Sequence, residues 1–332
     1  MKLDDSLELY LKYIRYEKNL TPNSIRSYTK DILQLHGFLY SNNINDTTQL
    51  DLAIFRNFLK SIDSKKYANR TIIRKYSSYI NYFRFLEENK LTGMQLSQFI
   101  NVPRKRERLY TFLSKKEMEK LFDSMEVKDY LNNRKRIIDP QTRKHLSDLH
   151  KRNRLIIELL YSTGARVSEI ENIKLKDIDI KKSEIRVTGK GRKQRIVYIN
   201  HRCLYRLEKY LGEVRPGLSS NKKAGTRLNN LYLLLNSRGE RLSSRSIYEI
   251  VRKYVKLAGI KKKITPHSIR HSFASHLLQE GAGIREIQEL LGHENISTTQ
   301  IYSHLDIKKI KEDYRRFHPR AKQGGPPIKN KQ

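Results

Sequence analysis

Cysteine is almost absent from this chain: Cys203 is the only one. An internal disulfide is excluded, and a small disulfide-stapled secreted scaffold with it; the lone thiol reads as an ordinary packed residue. No apolar run approaches the roughly 18 residues of a membrane span. Asp4, Asp5 and Glu8 interrupt what would be a signal-peptide core. A cytoplasmic protein without a membrane partner is expected. No internal repeat is visible, so a solenoid is not expected either. Acid is scarce relative to base: 35 Asp and Glu stand against 68 Lys and Arg in 332 residues, a formal net charge of +33. The excess is not confined to a tail, because residues 1–112 carry 19 basic and 11 acidic residues and residues 113–332 carry 49 and 24. A polyanionic partner, DNA or RNA, follows from that distribution. A solvated lysine-rich surface is the plainer reading of charge alone.

The length suits two domains. Residues 1–90 read as helices. Leu7, Tyr10, Leu11 and Ile14 recur at helical spacing, as do Ile25, Tyr28, Ile32, Leu35 and Leu39 after a Thr21-Pro22 start signal. A polar loop over 41–46 ends the second helix; a shorter helix is expected over 50–62, and a fourth is marked by Ile73, Tyr76, Ile80 and Phe83. The expected divisions are an all-α DNA-binding domain over 1–100, a basic linker over 101–112, a second domain over 113–320 and a disordered tail over 321–332. Ser114 and Glu117 have capping-box spacing. The basic, polar stretch 126–153 reads as a surface insertion, followed by a buried helix from Leu155 to Tyr161. Glu184–Thr188 and Arg195–Ile199 read as strands of a β-hairpin with a basic tip, and Leu231–Leu235 as a further strand. The chain returns to helix from about residue 243. The fold class is therefore multi-domain and mainly α, the second domain being α+β with a small antiparallel sheet.

Four stretches carry residues suited to phosphate chemistry. In Thr163-Gly164-Ala165-Arg166-Val167-Ser168-Glu169 a glycine break places Arg166 at a helix start, with its planar fork free for a phosphate; a helix-terminal arginine paired with Glu169 is the plainer alternative. Lys190 sits between two glycines at the hairpin tip, where a backbone can approach a ligand closely. In Pro266-His267-Ser268-Ile269-Arg270-His271, His267 and Arg270 lie three apart on one helix, and the cation tends to depress the imidazole pKa. His293 follows a Leu-Gly helix stop and Tyr302 comes nine residues later. Each alone is commonplace. Together, two arginines, a lysine, two histidines and a tyrosine make a metal-free phosphoryl-transfer set: guanidiniums for the charged transition state, a phenol as nucleophile, and an acid and a base for the protons.

These motifs, in this order and spacing, closely resemble the tyrosine recombinases of the phage-integrase family, the Xer type above all. Arg166, Lys190, the His267-x-x-Arg270 pair, the Leu-Gly-His293 motif and Tyr302 stand at intervals matching that pattern: 24 residues from Arg166 to Lys190, 23 from Arg270 to His293 and nine from His293 to Tyr302. The resemblance implies a catalytic domain in which Tyr302 forms a 3′-phosphotyrosyl bond, Arg166 and Arg270 hold the scissile phosphate, Lys190 protonates the leaving oxygen, His267 assists proton transfer, His293 bonds the phosphate and Glu169 supports the site. It further implies a clamp on double-stranded DNA, a homotetramer acting on two sites through a Holliday junction, and a C-terminal helix near 307–316 that docks on a neighbouring protomer. A related recombinase or a regulatory protein is a possible further partner. No cofactor is implied.

The expected role is resolution of chromosome or plasmid dimers at a dif-like site. The alternatives are an integrase or excisionase of a phage or mobile element, a non-catalytic DNA-binding protein, and a metal nuclease built on His267, His271 and His293. The last lacks a His-Glu-x-x-His pattern or a carboxylate cluster.

Overall fold

The structure is a computed structural model that describes residues 1–65, 67–102, 111–125, 139–189, 191, 193–220, 231–292 and 304–322; for 304–310 and Lys322 it describes the backbone. The chain divides into two compact units, Met1–Arg108 and Leu109–Gln332. The basic linker expected over 101–112 lies mostly outside the described residues.

The first unit is built from α1 (Leu3–Lys12), α2 (Pro22–Ser41), α3 (Leu52–Asp63) and α4 (Asn69–Glu88). The Thr21 side chain accepts from the Ser24 amide and Pro22 fills the first turn of α2, as the start signal predicts. Asp51 caps α3 in the same way. The apolar stripes meet in a core rich in rings, with Tyr10, Phe55, Phe58, Tyr79, Tyr82 and Phe83 all essentially buried. Buried polar groups find partners, Asp31 and His36 among them. Asp31, fully buried, is held by Arg74, by Lys75 at 2.9 Å and by the Ser78 hydroxyl at 2.8 Å. His36 bonds the Tyr82 hydroxyl at 3.0 Å.

The second unit begins with α5 (Lys115–Asp123), which carries the expected Ser114–Glu117 capping box. It continues with α6 (Pro140–Thr163) and the short α7 (Val167–Glu171). The stretch read as an insertion is corrected here. From Pro140 onward it is the first half of α6, with Asp139 as N-cap and Pro140 in the first turn. Polarity hid it, because buried positions of this half are polar and bonded. His150 Nδ1 pairs with the Tyr254 hydroxyl at 2.7 Å, and Arg152 and Arg154 donate to the carbonyls of Leu235 and Met125, each at 2.9 Å. Residues 126–138 lie outside the described residues.

The sheet has three antiparallel strands in the order β1 (Ile178–Asp179), β2 (Glu184–Thr188) and β3 (Gln194–Tyr198). The β2–β3 hairpin is the expected one, in register Ile185↔Val197 and Val187↔Arg195. The strand expected over 231–235 is not in the sheet. Leu233, Leu234 and Leu235 are fully buried, yet this segment makes only isolated bridges, Lys174↔Tyr232 and Leu235↔Arg241. Apolar burial without a ladder partner produced the false strand signal.

After β3 come α8 (His201–Lys209), α9 (Arg215–Ser219), α10 (Ser244–Leu257), α11 (Pro266–Gln279), α12 (Ile284–Leu291), α13 (His304–Phe317) and α14 (Pro319–Lys322). Cys203 is buried, and burial pushes its thiol well above the ordinary value. Pro319–Lys322 is a helical turn, and Arg320 is buried against Glu158 at 2.9 Å. The end of α13 packs on the second unit. Tyr314 is buried with its hydroxyl 2.8 Å from that of Ser162, and Lys311 pairs with Glu184 at 2.7 Å.

Candidate active site

Helix α6 ends at Gly164, whose φ of +58° is left-handed. A Cβ there would lie 2.5 Å from Cδ1 of Phe273 and 3.0 Å from Cδ2 of Leu291, so both backbone and space call for glycine. Two residues on, Arg166 caps α7. Its backbone N–H donates to Glu169 Oε2 at 2.7 Å and its Nη1 to Oε1 at 3.0 Å. Arg166 Nη2 reaches the carbonyl of Gly292 at 3.3 Å. The two readings of Arg166, phosphate fork and partner of Glu169, are thus compatible, because a third of its side chain remains exposed.

Arg270 comes from α11, started by Thr265 and Pro266 as the sequence predicts. It is buried, and donates to the carbonyls of Gly164 at 2.7 Å and Leu291 at 2.8 Å. Both guanidiniums therefore meet the last carbonyls around the C-terminal end of α12, the negative end of a helix dipole. Among the described residues Arg270 has no carboxylate at ion-pair distance. Burial, and then repulsion from Arg166 and Arg195, push its pKa down to about 10. It remains charged at neutral pH in a site where positive charge is uncompensated.

Arg195 was not singled out in the sequence. Its Nη1 and Nη2 grip Glu169 Oε1 and Oε2 at 2.6 and 2.9 Å. A signal was available: strand alternation puts Arg195 on the same face as Val197, opposite exposed Ile196, and an inward-facing arginine calls for an acid. Glu169 is 1% exposed. Burial alone would raise its pKa, but the bonds from Arg195 and Arg166 hold it below the ordinary carboxylate range.

The structure thus brings Arg166, Glu169 and Arg270 together and adds Arg195. Arg166 and Arg195 bond the carboxylate of Glu169, and Arg270 lies close enough to feel all three charges, an arrangement suited to an anion with two negative charges. His267 lies one turn before Arg270, exposed, its ring 6.5 Å from that of Tyr248. His271 is exposed on the same helix, its pKa lowered by burial and by Arg270. Lys190, His293 and Tyr302 lie outside the described residues. Among the described residues, no group of three or more His, Cys, Asp or Glu is placed to hold a metal ion.

An all-helical unit followed by a mainly helical one with a small antiparallel sheet is the tyrosine-recombinase fold. Residues 111–309 match the phage integrase family, and residues 7–90 match the N-terminal SAM-like domain of phage integrases, so the chain belongs to that family. It is 35% identical over 323 residues to the tyrosine recombinase XerC of Pelotomaculum thermopropionicum, covering 95% of this chain and 98% of the relative. It is 37% identical over 322 residues to XerC of Oceanobacillus iheyensis, covering 96% and 98%. The fold is shared with XerH bound to its difH substrate, at a TM-score of 0.60, 24% identity and coverage of 92% and 82%. It is also shared with a lambda integrase dimer bound to a core site, at a TM-score of 0.61, 18% identity and coverage of 91% and 99%.

Proposed function

We propose that the chain is a Xer-type site-specific recombinase that cuts and rejoins double-stranded DNA and resolves chromosome or plasmid dimers at a dif-like site. The observation that carries this reading is the group of three arginines, Arg166 and Arg195 bonded to Glu169 and Arg270 nearby, which leaves two positive charges in excess. A phosphodiester under attack by a phenolate carries two negative charges, and preorganised donors aimed at that charge are a large source of rate. The near full-length likeness to XerC proteins supports the biological role.

The Tyr302 oxygen attacks the scissile phosphorus. A phosphorus–oxygen bond to the tyrosine forms as the bond to the 5′ sugar oxygen breaks. His267 assists removal of the phenol proton, Lys190 protonates the departing 5′ oxygen, and Arg166, Arg270 and His293 hold the nonbridging oxygens. Reversal by a 5′-hydroxyl from a second duplex rejoins the strand, because the phosphotyrosyl bond has kept the phosphodiester's energy. The helical domain over 1–100 and the catalytic domain over 113–320 close on the duplex. Four protomers act on two sites through a Holliday junction.

The test is trapping on a nicked duplex whose cut releases a short fragment, in excess chelator. The expected result is a covalent protein–DNA adduct at a 3′-phosphate, mapped to Tyr302 and absent in Tyr302→Phe. An adduct that persists in Tyr302→Phe, or cleavage abolished by the chelator, overturns the assignment.

A further inference from the structure

We propose that Arg195, on β3, is a positioning residue of the phosphate clamp: by neutralising Glu169 it leaves the Arg166 guanidinium available to the scissile phosphate. The inference rests on the recombinase reading and goes further into the same site.

The bonding pattern carries it. Glu169 has two oxygens, and each is used twice. Oε1 accepts from Arg195 Nη1 at 2.6 Å and from Arg166 Nη1 at 3.0 Å; Oε2 accepts from Arg195 Nη2 at 2.9 Å and from the Arg166 backbone N–H at 2.7 Å. Arg195 makes the two-pronged, fork-on-carboxylate contact, the stronger and more directional of the two side-chain arrangements. Arg166 touches the carboxylate with one Nη and spends the other on the Gly292 carbonyl. A carboxylate 1% exposed must be neutralised by something. With Arg195 present, that charge is met from the sheet. Without it, Arg166 is the remaining guanidinium bonded to Glu169, and the charge that should face a phosphate would turn inward.

Position adds a second argument. Arg195 lies on β3 opposite Val187, so it moves with the hairpin whose two strands flank Lys190 in the sequence. Gly189, at the foot of that hairpin, is so close to Glu169 that a Cβ would lie 3.2 Å from its Oε1. The Arg195 side chain also packs over Gly292, where a Cβ would lie 2.9 Å from its Cδ and 3.1 Å from its Nε. Gly292 has a φ of +66° and precedes His293 in the chain. One side chain thereby touches the carboxylate that orients Arg166 and the turn that leads to another proposed phosphate ligand.

The experiment compares wild type, Arg195→Gln, Arg195→Lys, Glu169→Gln and the Arg195→Gln/Glu169→Gln double variant. Single-turnover cleavage on the nicked duplex, DNA affinity and thermal unfolding are measured for each. Arg195→Gln is expected to cut about 10²-fold more slowly at neutral pH, the scale of a misplaced catalytic group, while DNA affinity changes little. Its rate relative to wild type should recover as the pH drops. Glu169 has lost its chief stabilising partner, takes up a proton at higher pH than before, and then releases Arg166. Arg195→Lys restores the charge and should abolish that added pH dependence, even where the missing fork leaves the rate low. The double variant should cut no more slowly than Glu169→Gln alone, because Arg195 acts through that carboxylate.

An Arg195→Gln variant that cuts as fast as wild type overturns the proposal. So does a relative rate independent of pH, or a double variant in which the two losses multiply. Should Arg195→Gln fail to fold, Arg195→Lys against wild type still decides, because a lysine that loses both rate and the wild-type pH profile contradicts a role in charge balance. A wild-type chain that never forms the adduct overturns the recombinase reading and this one together; a cutting wild type matched by Arg195→Gln overturns this one alone.

Discussion

Arg270 Nη1 donates to the carbonyl oxygen of Gly164 at 2.7 Å, tying the helix that bears His267 to the turn that presents Arg166. The turn and the fork are one device. Gly164 can offer that carbonyl because its left-handed backbone turns the chain sharply out of α6, and the missing Cβ leaves room for Phe273 and Leu291 to pack against the turn.

Gly164→Ala should therefore damage both stability and chemistry. The left-handed backbone disfavours any Cβ, and the added methyl would press on Phe273 and Leu291. A loss of about 2–4 kcal/mol is expected from strain and overpacking, read from urea unfolding. Cleavage should fall further than the unfolded fraction explains, because the turn bears Arg166. A variant as stable as wild type would contradict the packing at this position.

Arg270→Lys keeps the charge and loses the fork that meets two carbonyls at once. Single-turnover cleavage should drop about 10²–10³-fold, the usual cost of removing a preorganised donor from a transition state. DNA affinity, spread over many basic residues, should change far less. Parallel losses in binding and cleavage would mean that Arg270 acts on the ground state.

His318 makes the second unit sensitive to acid. Its ring is buried and stacked on Tyr314, its Nδ1 accepts from the Arg320 amide, and its Nε2 lies 3.2 Å from the carbonyl of Tyr161. Burial pushes its pKa down to about 3. In the unfolded chain a histidine titrates near about 6.5. Between those two values unfolding takes up a proton, so stability is fully present above the unfolded value and falls as the pH drops below it. The slope from this group is about 1.4 kcal/mol per pH unit. Urea midpoints taken from neutral to mildly acidic pH should fall, and His318→Gln should flatten the decline. An unchanged decline in that variant would place the acid sensitivity elsewhere.

Arg320→Ala tests the anchor at the end of the chain. It would take from Glu158, 1% exposed, the guanidinium that bonds it at 2.9 Å, and remove the same group from above the Phe122 ring, 3.7 Å away. Breaking a buried pair on one side costs about 3–5 kcal/mol. Replacing both partners with apolar residues of similar size should cost much less. Thermal unfolding of the single and double variants measures the difference. A harmless Arg320→Ala would mean that the bond to Glu158 does not anchor this turn.

Much of this molecule is written in short-range chemistry. Thr21-Pro22, Ser114 with Glu117, and Thr265-Pro266 are start signals that satisfy backbone amides within one turn, so they work before any tertiary contact exists. Alternation in Glu184–Thr188 marked the hairpin, and the order of Arg166, Lys190, His267, Arg270, His293 and Tyr302 marked the family. What the tertiary structure alone decided were the partners of charges far apart in the chain. His150, Arg152 and Arg154 became core because Tyr254, Leu235 and Met125 supplied bonds from distant segments. The leucines at 233–235 were buried without joining the sheet, whose third strand is Ile178–Asp179. Arg195 found Glu169 across 26 positions of sequence. Local patterns report the bonds a segment makes with itself; the neutralisation of a buried charge depends on which remote group the topology brings within reach.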